Sequence, residues 1–139
     1  MTAGNPKRDA TLHGAPGVGN DFAEYLGLRW DDPWSVRLTL RPELLNENQL
    51  VLGPVGFAMV DYSMGAALWL ETAEHELIAT ISIAINYIQS ASQGDIICTS
   101  KLDRRNRRVA VLSSETRHED GRLLATAIGS FTIFPKRLP

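Results

Sequence analysis

Between Leu50 and Thr72 the chain reads LVLGPVGFAMVDYSMGAALWLET, a segment that is apolar on nearly every side when wound as a helix. Gly53 and Pro54 suit the N-cap and first turn of that helix. A helix of this kind is enclosed by its own protein and does not lie on the surface. Gly53, Pro54, Gly56, Asp61, Tyr62, Ser63 and Gly65 interrupt the stretch, so it does not read as a membrane span.

The flanking sequence supplies the enclosure. Trp34, Val36, Leu38 and Leu40 alternate with polar residues until Pro42, the period of a half-buried strand. Beyond the AEHE turn come four β-branched runs, IATISIAINYI, DIICTSKL, VAVLSSETR and LLATAIGSFTIF. Arg105-Asn106 and Glu119-Asp120-Gly121 stand where hairpin turns are needed. Successive strands joined by tight turns are antiparallel neighbours, which predicts an α+β fold with one antiparallel sheet packed on a long helix. Ahead of it, Asn20 caps a short helix with Phe22, Tyr25 and Leu26 on one face, ending near Gly27. Residues 1–18 lack a hydrophobic period and read as a flexible arm, leaving 19–139 as a single domain.

Composition narrows the function. A length of 139 residues supports one core, and a net charge of -2 with a pI near 5.9 gives no global attraction to nucleic acid or to an anionic membrane. The opening residues lack the apolar core of a secretory signal. One cysteine forms no internal disulfide and no thiolate metal site, so the expectation is a reduced, cytoplasmic protein without a metal. Cys98 reads as a small core residue, and His13, His75 and His118 are too scattered for a catalytic role. GAPGVGNDF fails as a dinucleotide loop, because Phe22 takes the third glycine position and no strand precedes it.

Three features carry candidate chemistry. Asp61 is an acid in the middle of the apolar helix, where an ionised carboxylate is costly unless paired or solvated. Its ordinary alternative is an Asp facing solvent or a subunit interface. Gly53 begins a helix whose unpaired amides and dipole favour an oxyanion, a property shared by every helix start. Arg104, Arg105, Arg107 and Arg108 cluster at a hairpin tip, as a solvated turn or as a clamp for phosphate.

Taken together, Asn46 followed by LVLGPVGFAMVDYSMG, then ATISIAINYIQSASQGD, then RRNRRVAVLSSETRHEDGRLLATAIGSF, resemble the hotdog-fold acyl-CoA thioesterases of the phenylacetate-pathway type. The resemblance covers about residues 34–135. It implies an antiparallel sheet wrapped around a long central helix, with Asp61 as catalytic carboxylate and Gly53 as backbone donor to the thioester oxygen. It places Asn46 where the attacking water is oriented and Thr80 at a hydroxyl position on the following strand. The family builds this site across a homodimer interface, commonly in a homotetramer of two dimers. It usually has His-Gly-Gly at the helix start, whereas this chain has Leu52-Gly53-Pro54, which removes an imidazole and one amide hydrogen.

The implied reaction is hydrolysis of an acyl-CoA or aryl-CoA thioester to free acid and CoA, with no cofactor beyond the CoA of the substrate. Asp61 would act as general base or as nucleophile, and the arginine hairpin would hold the CoA phosphates. Phe57, Met59, Tyr62, Met64 and Trp69 are candidates for an acyl pocket or for plain core. A non-catalytic acyl-CoA binder is the alternative, and a dehydratase ranks last because no histidine closely follows Asp61.

Overall fold

A computed structural model of the chain describes residues 21–137. The expected arm, Asn20 and His13 lie outside the described residues. In chain order the elements are α1 (Asp21–Leu26), β1 (Arg29–Asp32), β2 (Ser35–Thr39), a single 3-10 turn (Pro42–Leu44), α2 (Gly53–Trp69), β3 (Glu76–Tyr87), β4 (Asp95–Arg105), β5 (Val109–His118) and β6 (Leu123–Pro135). All six strands form one antiparallel sheet in the order β1-β2-β4-β5-β6-β3. The sheet wraps α2, the hotdog arrangement that the resemblance implied. Among the described residues, no helix is long and apolar enough to cross a membrane.

The alternation predicted for β2 holds at Val36, Leu38 and Leu40, which are buried, while Trp34 lies in the preceding turn and is 44% exposed. The β4-β5 and β5-β6 hairpins turn where Asn106 and Gly121 are placed. Asn106 Oδ1 accepts from the Arg108 and Val109 amides, and Gly121 has φ +96, which favours glycine. No tight turn was expected between β3 and β4, and β3 does not pair with β4. Seven residues separate it from β4, enough to cross the molecule, and β3 pairs with β6 at the opposite edge.

Three expectations are corrected. β1 was not foreseen, since RWDD is short and charged and pairs only through a tight turn at Pro33. In α1 the inward residues are Ala23 and Leu26, whereas Phe22 and Tyr25 point outward. A helix of 6 residues has room for one narrow contact stripe, and the small Ala23 lets it seat closely. The N-cap of α2 is Leu52, with Gly53 and Pro54 at the first two helical positions.

The helix α2 is not enclosed all round. Ser63 through Leu68 are buried, as are Val55 and Ala58 to Val60, yet Gly53, Pro54, Phe57 and Asp61 keep partial or full exposure. Gly53, Phe57 and Asp61 are four residues apart in turn and share one face. That face is the stripe the sheet leaves open.

The close seating of α2 depends on Gly129 in β6. A Cβ there would lie 2.7 Å from Met64 Sδ, 3.2 Å from Ile83 Cγ1 and 3.3 Å from the Ser82 carbonyl oxygen. Met64 is fully buried. Gly129→Ala is therefore expected to cost about 1–3 kcal/mol by overpacking. A lowered urea midpoint at unchanged slope would register it; an unchanged midpoint would show that Met64 yields.

Candidate functional site

Two of the predicted residues meet directly. Thr80 Oγ1 donates to Asp61 Oδ1 at 2.7 Å, linking the middle of α2 to β3. The strand is irregular at this point, since the β3-β6 register shifts between Thr80 and Ser82 with Ile81 as the extra residue. Such a bulge re-aims side chains beside it, here on the strand that holds Thr80 against α2. Asp61 is half-buried on the open stripe, which resolves the cost of an acid in an apolar helix: one oxygen is hydrogen-bonded and the face is not sealed.

Gly53 lies eight residues earlier on the same stripe. In the first turn, the Val55 and Gly56 amides both point to the Leu52 carbonyl at 3.1 and 3.4 Å, and Pro54 has no amide hydrogen. The Leu52 amide donates to the Leu44 carbonyl at 2.9 Å. Among the described residues the Gly53 N–H has no partner, so the helix start offers a single free donor. With proline at 54, where the resemblance has glycine, that one amide is the donor left free at the helix start.

Asn46 sits in the loop before α2. Its Oδ1 accepts from the Asn48 and Leu50 amides at 2.8 and 3.1 Å, shaping a turn in which Gln49 takes φ 62. No hydrogen bond joins it to Asp61 or Thr80 among the described residues. Its carboxamide nitrogen is the group left for another contact.

The arginine cluster divides. Arg105, expected among the phosphate contacts, is committed elsewhere: its guanidinium donates to Glu76 Oε2 at 3.0 Å, Glu76 Oε1 at 3.3 Å and the Glu71 carbonyl at 3.0 Å. Arg105 beside it, helped by the Ala73 amide, holds the Glu76 carboxyl below its usual range. This 29-residue separation left no local signal in the sequence. Arg107 and Arg108 face a cleft of about 520 Å³, bounded also by His75, Glu76 and the Thr132–Pro135 segment. Arg104 is exposed and lies outside that lining.

Other candidates resolve simply. Met59 and Met64 are fully buried core, whereas Phe57 is 43% exposed on the Gly53-Asp61 stripe. Tyr62 and Trp69 are half-buried. Cys98 is enclosed, and burial pushes its thiol up, as befits a core residue and not a nucleophile. His118 bridges Asp120 and the Gln93 carbonyl in a turn, away from Asp61. Among the described residues, no group of three or more His, Cys, Asp or Glu could hold a metal ion.

Residues 48–125 match the model of the thioesterase superfamily, a span that includes Gly53, Asp61, Thr80 and the arginine hairpin. The structure is similar to that of a conserved protein from Pseudomonas aeruginosa, at 26% identity and a TM-score of 0.76, covering 82% of this chain and 94% of the other. It is also similar to a protein from Bacillus halodurans solved with CoA, at 18% identity and a TM-score of 0.77, covering 81% and 75%. A mutant thioesterase from Pseudomonas aeruginosa superposes with a TM-score of 0.78 at 14% identity, covering 97% and 96%. No curated protein matches the sequence.

Proposed function

Because the chain belongs to the thioesterase superfamily, we propose that it hydrolyses an acyl-CoA or aryl-CoA thioester with Asp61 and Gly53 as the working pair. The observation that carries this reading is the shared stripe: a carboxylate fixed through one oxygen by Thr80, and a lone free amide at the helix start. With Oδ1 occupied, Asp61 keeps Oδ2 for the chemistry. As general base it takes a proton from water while the hydroxide adds to the thioester carbon, and the oxyanion is met by a Gly53 amide. Collapse expels the CoA thiolate, which recovers the proton from Asp61. In the direct route Asp61 adds instead, forming a mixed anhydride that water opens.

Both groups cannot serve one thioester within a single chain. Eight helical residues separate them by about 12 Å. A nucleophile at about 3–3.5 Å from the carbon and a donor at about 3 Å from its oxygen span roughly 7 Å. A second copy removes the conflict, since a two-fold contact that sets Gly53 against Asp61 of the partner subunit also sets Asp61 against Gly53 of the partner subunit. The axis then passes beside Phe57, midway on the stripe and exposed in one protomer. Such pairing supports a homodimer, and the family pattern extends it to a tetramer of two dimers.

The Arg107-Arg108 cleft is the proposed seat of the CoA phosphates. It adjoins Glu76, four residues before Thr80 on β3, a distance of roughly 13 Å along the strand that an extended pantetheine arm can follow. The CoA bound by the Bacillus halodurans protein supports this choice of substrate class. The Arg107→Ala/Arg108→Ala double variant is expected to raise KM for acyl-CoA with little change in kcat. Thiol release measured across short, medium, long and aryl acyl-CoAs tests the whole reading. Thermal stabilisation by acyl-CoA without thiol release would instead favour the non-catalytic binder.

A further inference from the structure

The first turn of α2 is poorly held by its own sequence. Leu52 offers no side-chain cap, Pro54 lacks an amide hydrogen, and Gly53 and Gly56 add two flexible positions within four residues. An oxyanion donor must nevertheless be fixed before the reaction begins. The order comes from β3, whose last residue, Tyr87, pairs with Ala125 of β6 and reaches across to the helix start. Tyr87 Oη donates to the Gly53 carbonyl at 2.6 Å. Its ring lies so close to the turn that a Cβ on Gly56 would come within 3.1 Å of Tyr87 Cε1, and one on Gly53 within 3.6 Å of Oη. The two glycines thus let an aromatic ring seat directly on the backbone of the turn.

We propose that Tyr87 is a positioning residue for the Gly53 amide, acting through its hydroxyl on the Gly53 carbonyl and its ring on the Gly53–Gly56 turn. The role rests on the reading of Gly53 as oxyanion donor. Packing against α2 pushes the Tyr87 hydroxyl pKa up, so the group remains a donor throughout the neutral range. One strand then orients both halves of the chemistry, Asp61 through Thr80 and Gly53 through Tyr87.

The test uses the full-length protein and the Tyr87→Phe variant, which keeps the ring and deletes the hydroxyl. Turnover of an acyl-CoA that the wild type hydrolyses is expected to fall about tenfold in kcat, with KM within about twofold, as befits a loosened donor and not a lost binding contact. Amide hydrogen exchange is expected to quicken at Val55 and Gly56 while Ala66 to Leu68 remain unchanged. An unaltered kcat overturns the proposal, whether or not exchange changes. Should Tyr87→Phe fail to fold, Gly56→Ala carries the test: it displaces the ring with the hydroxyl retained and is expected to give the same selective loss of kcat, with unaltered kcat counting against. A wild type inactive on every acyl-CoA would overturn the Gly53 reading and this role with it, a result distinct from an active wild type matched by an equally active variant.

Discussion

Asp61→Asn is expected to lower kcat by about 10²- to 10⁴-fold, the range for loss of a positioned general base. The substitution preserves shape, and an amide oxygen still accepts the Thr80 hydroxyl that now meets Asp61 Oδ1 at 2.7 Å. Stability and KM should therefore stay close to wild type, placing the loss in the transition state. The group lies half-exposed on an open stripe, so removing its charge leaves no buried partner stranded. Release of free thiol, followed at saturating acyl-CoA, reads the effect directly. Full retained turnover would remove Asp61 from the mechanism. Single-turnover reaction in isotopically labelled water tests the direct route, because label appearing in the Asp61 carboxyl requires an anhydride that water opened at that carbon.

The second large effect is expected at Gly53. Gly53→Pro removes the one free amide at the start of α2 at a position where proline is well tolerated, and should lower kcat by about 10²- to 10³-fold. Gly53→Ala keeps the amide, and its Cβ would sit at ordinary contact distance, 3.6 Å from Tyr87 Oη, so it should be far milder. Mixing decides where the site lies. When inactive Gly53→Pro and inactive Asp61→Asn chains are unfolded, combined in equal amounts and refolded, half of the dimers are hybrids. Each hybrid has one site with both intact groups, so roughly a quarter of wild-type activity should return. No recovery would confine the site to one chain and contradict the two-copy assembly.

Much of this arrangement was legible in the sequence for identifiable reasons. Strand alternation at Val36, Leu38 and Leu40 and the turn chemistry of Asn106 and Gly121 are local signals, and the structure follows them. Asp61 stood out because a charge among apolar residues demands an explanation. What the sequence hid was set by distance. The placement of β3 beside β6 depends on where a seven-residue connection chooses to cross, and the Glu76-Arg105 ion pair joins residues that no short-range pattern relates. The Tyr87 contact with Gly53 is hidden for the same reason, since INY reads only as the end of a strand. The open stripe on α2 was masked by composition: Gly53, Pro54 and Phe57 look like core residues, and only the sheet's incomplete wrap reveals that they face outward.

The edge position of β3 has a consequence for how the protein must be kept. Its sequence, ELIATISIAINY, contains neither lysine nor proline between its ends, and Ile81 is 56% exposed. Proteins guard a free strand edge with such residues or with bulges, because an unguarded edge templates sheet growth with other chains. Apart from the bulge at Ile81, the β3 edge carries none of these guards, and a second copy seated along it would cover it. If the two-copy assembly also covers this edge, separating the copies by dilution should favour aggregates over a stable, folded monomer.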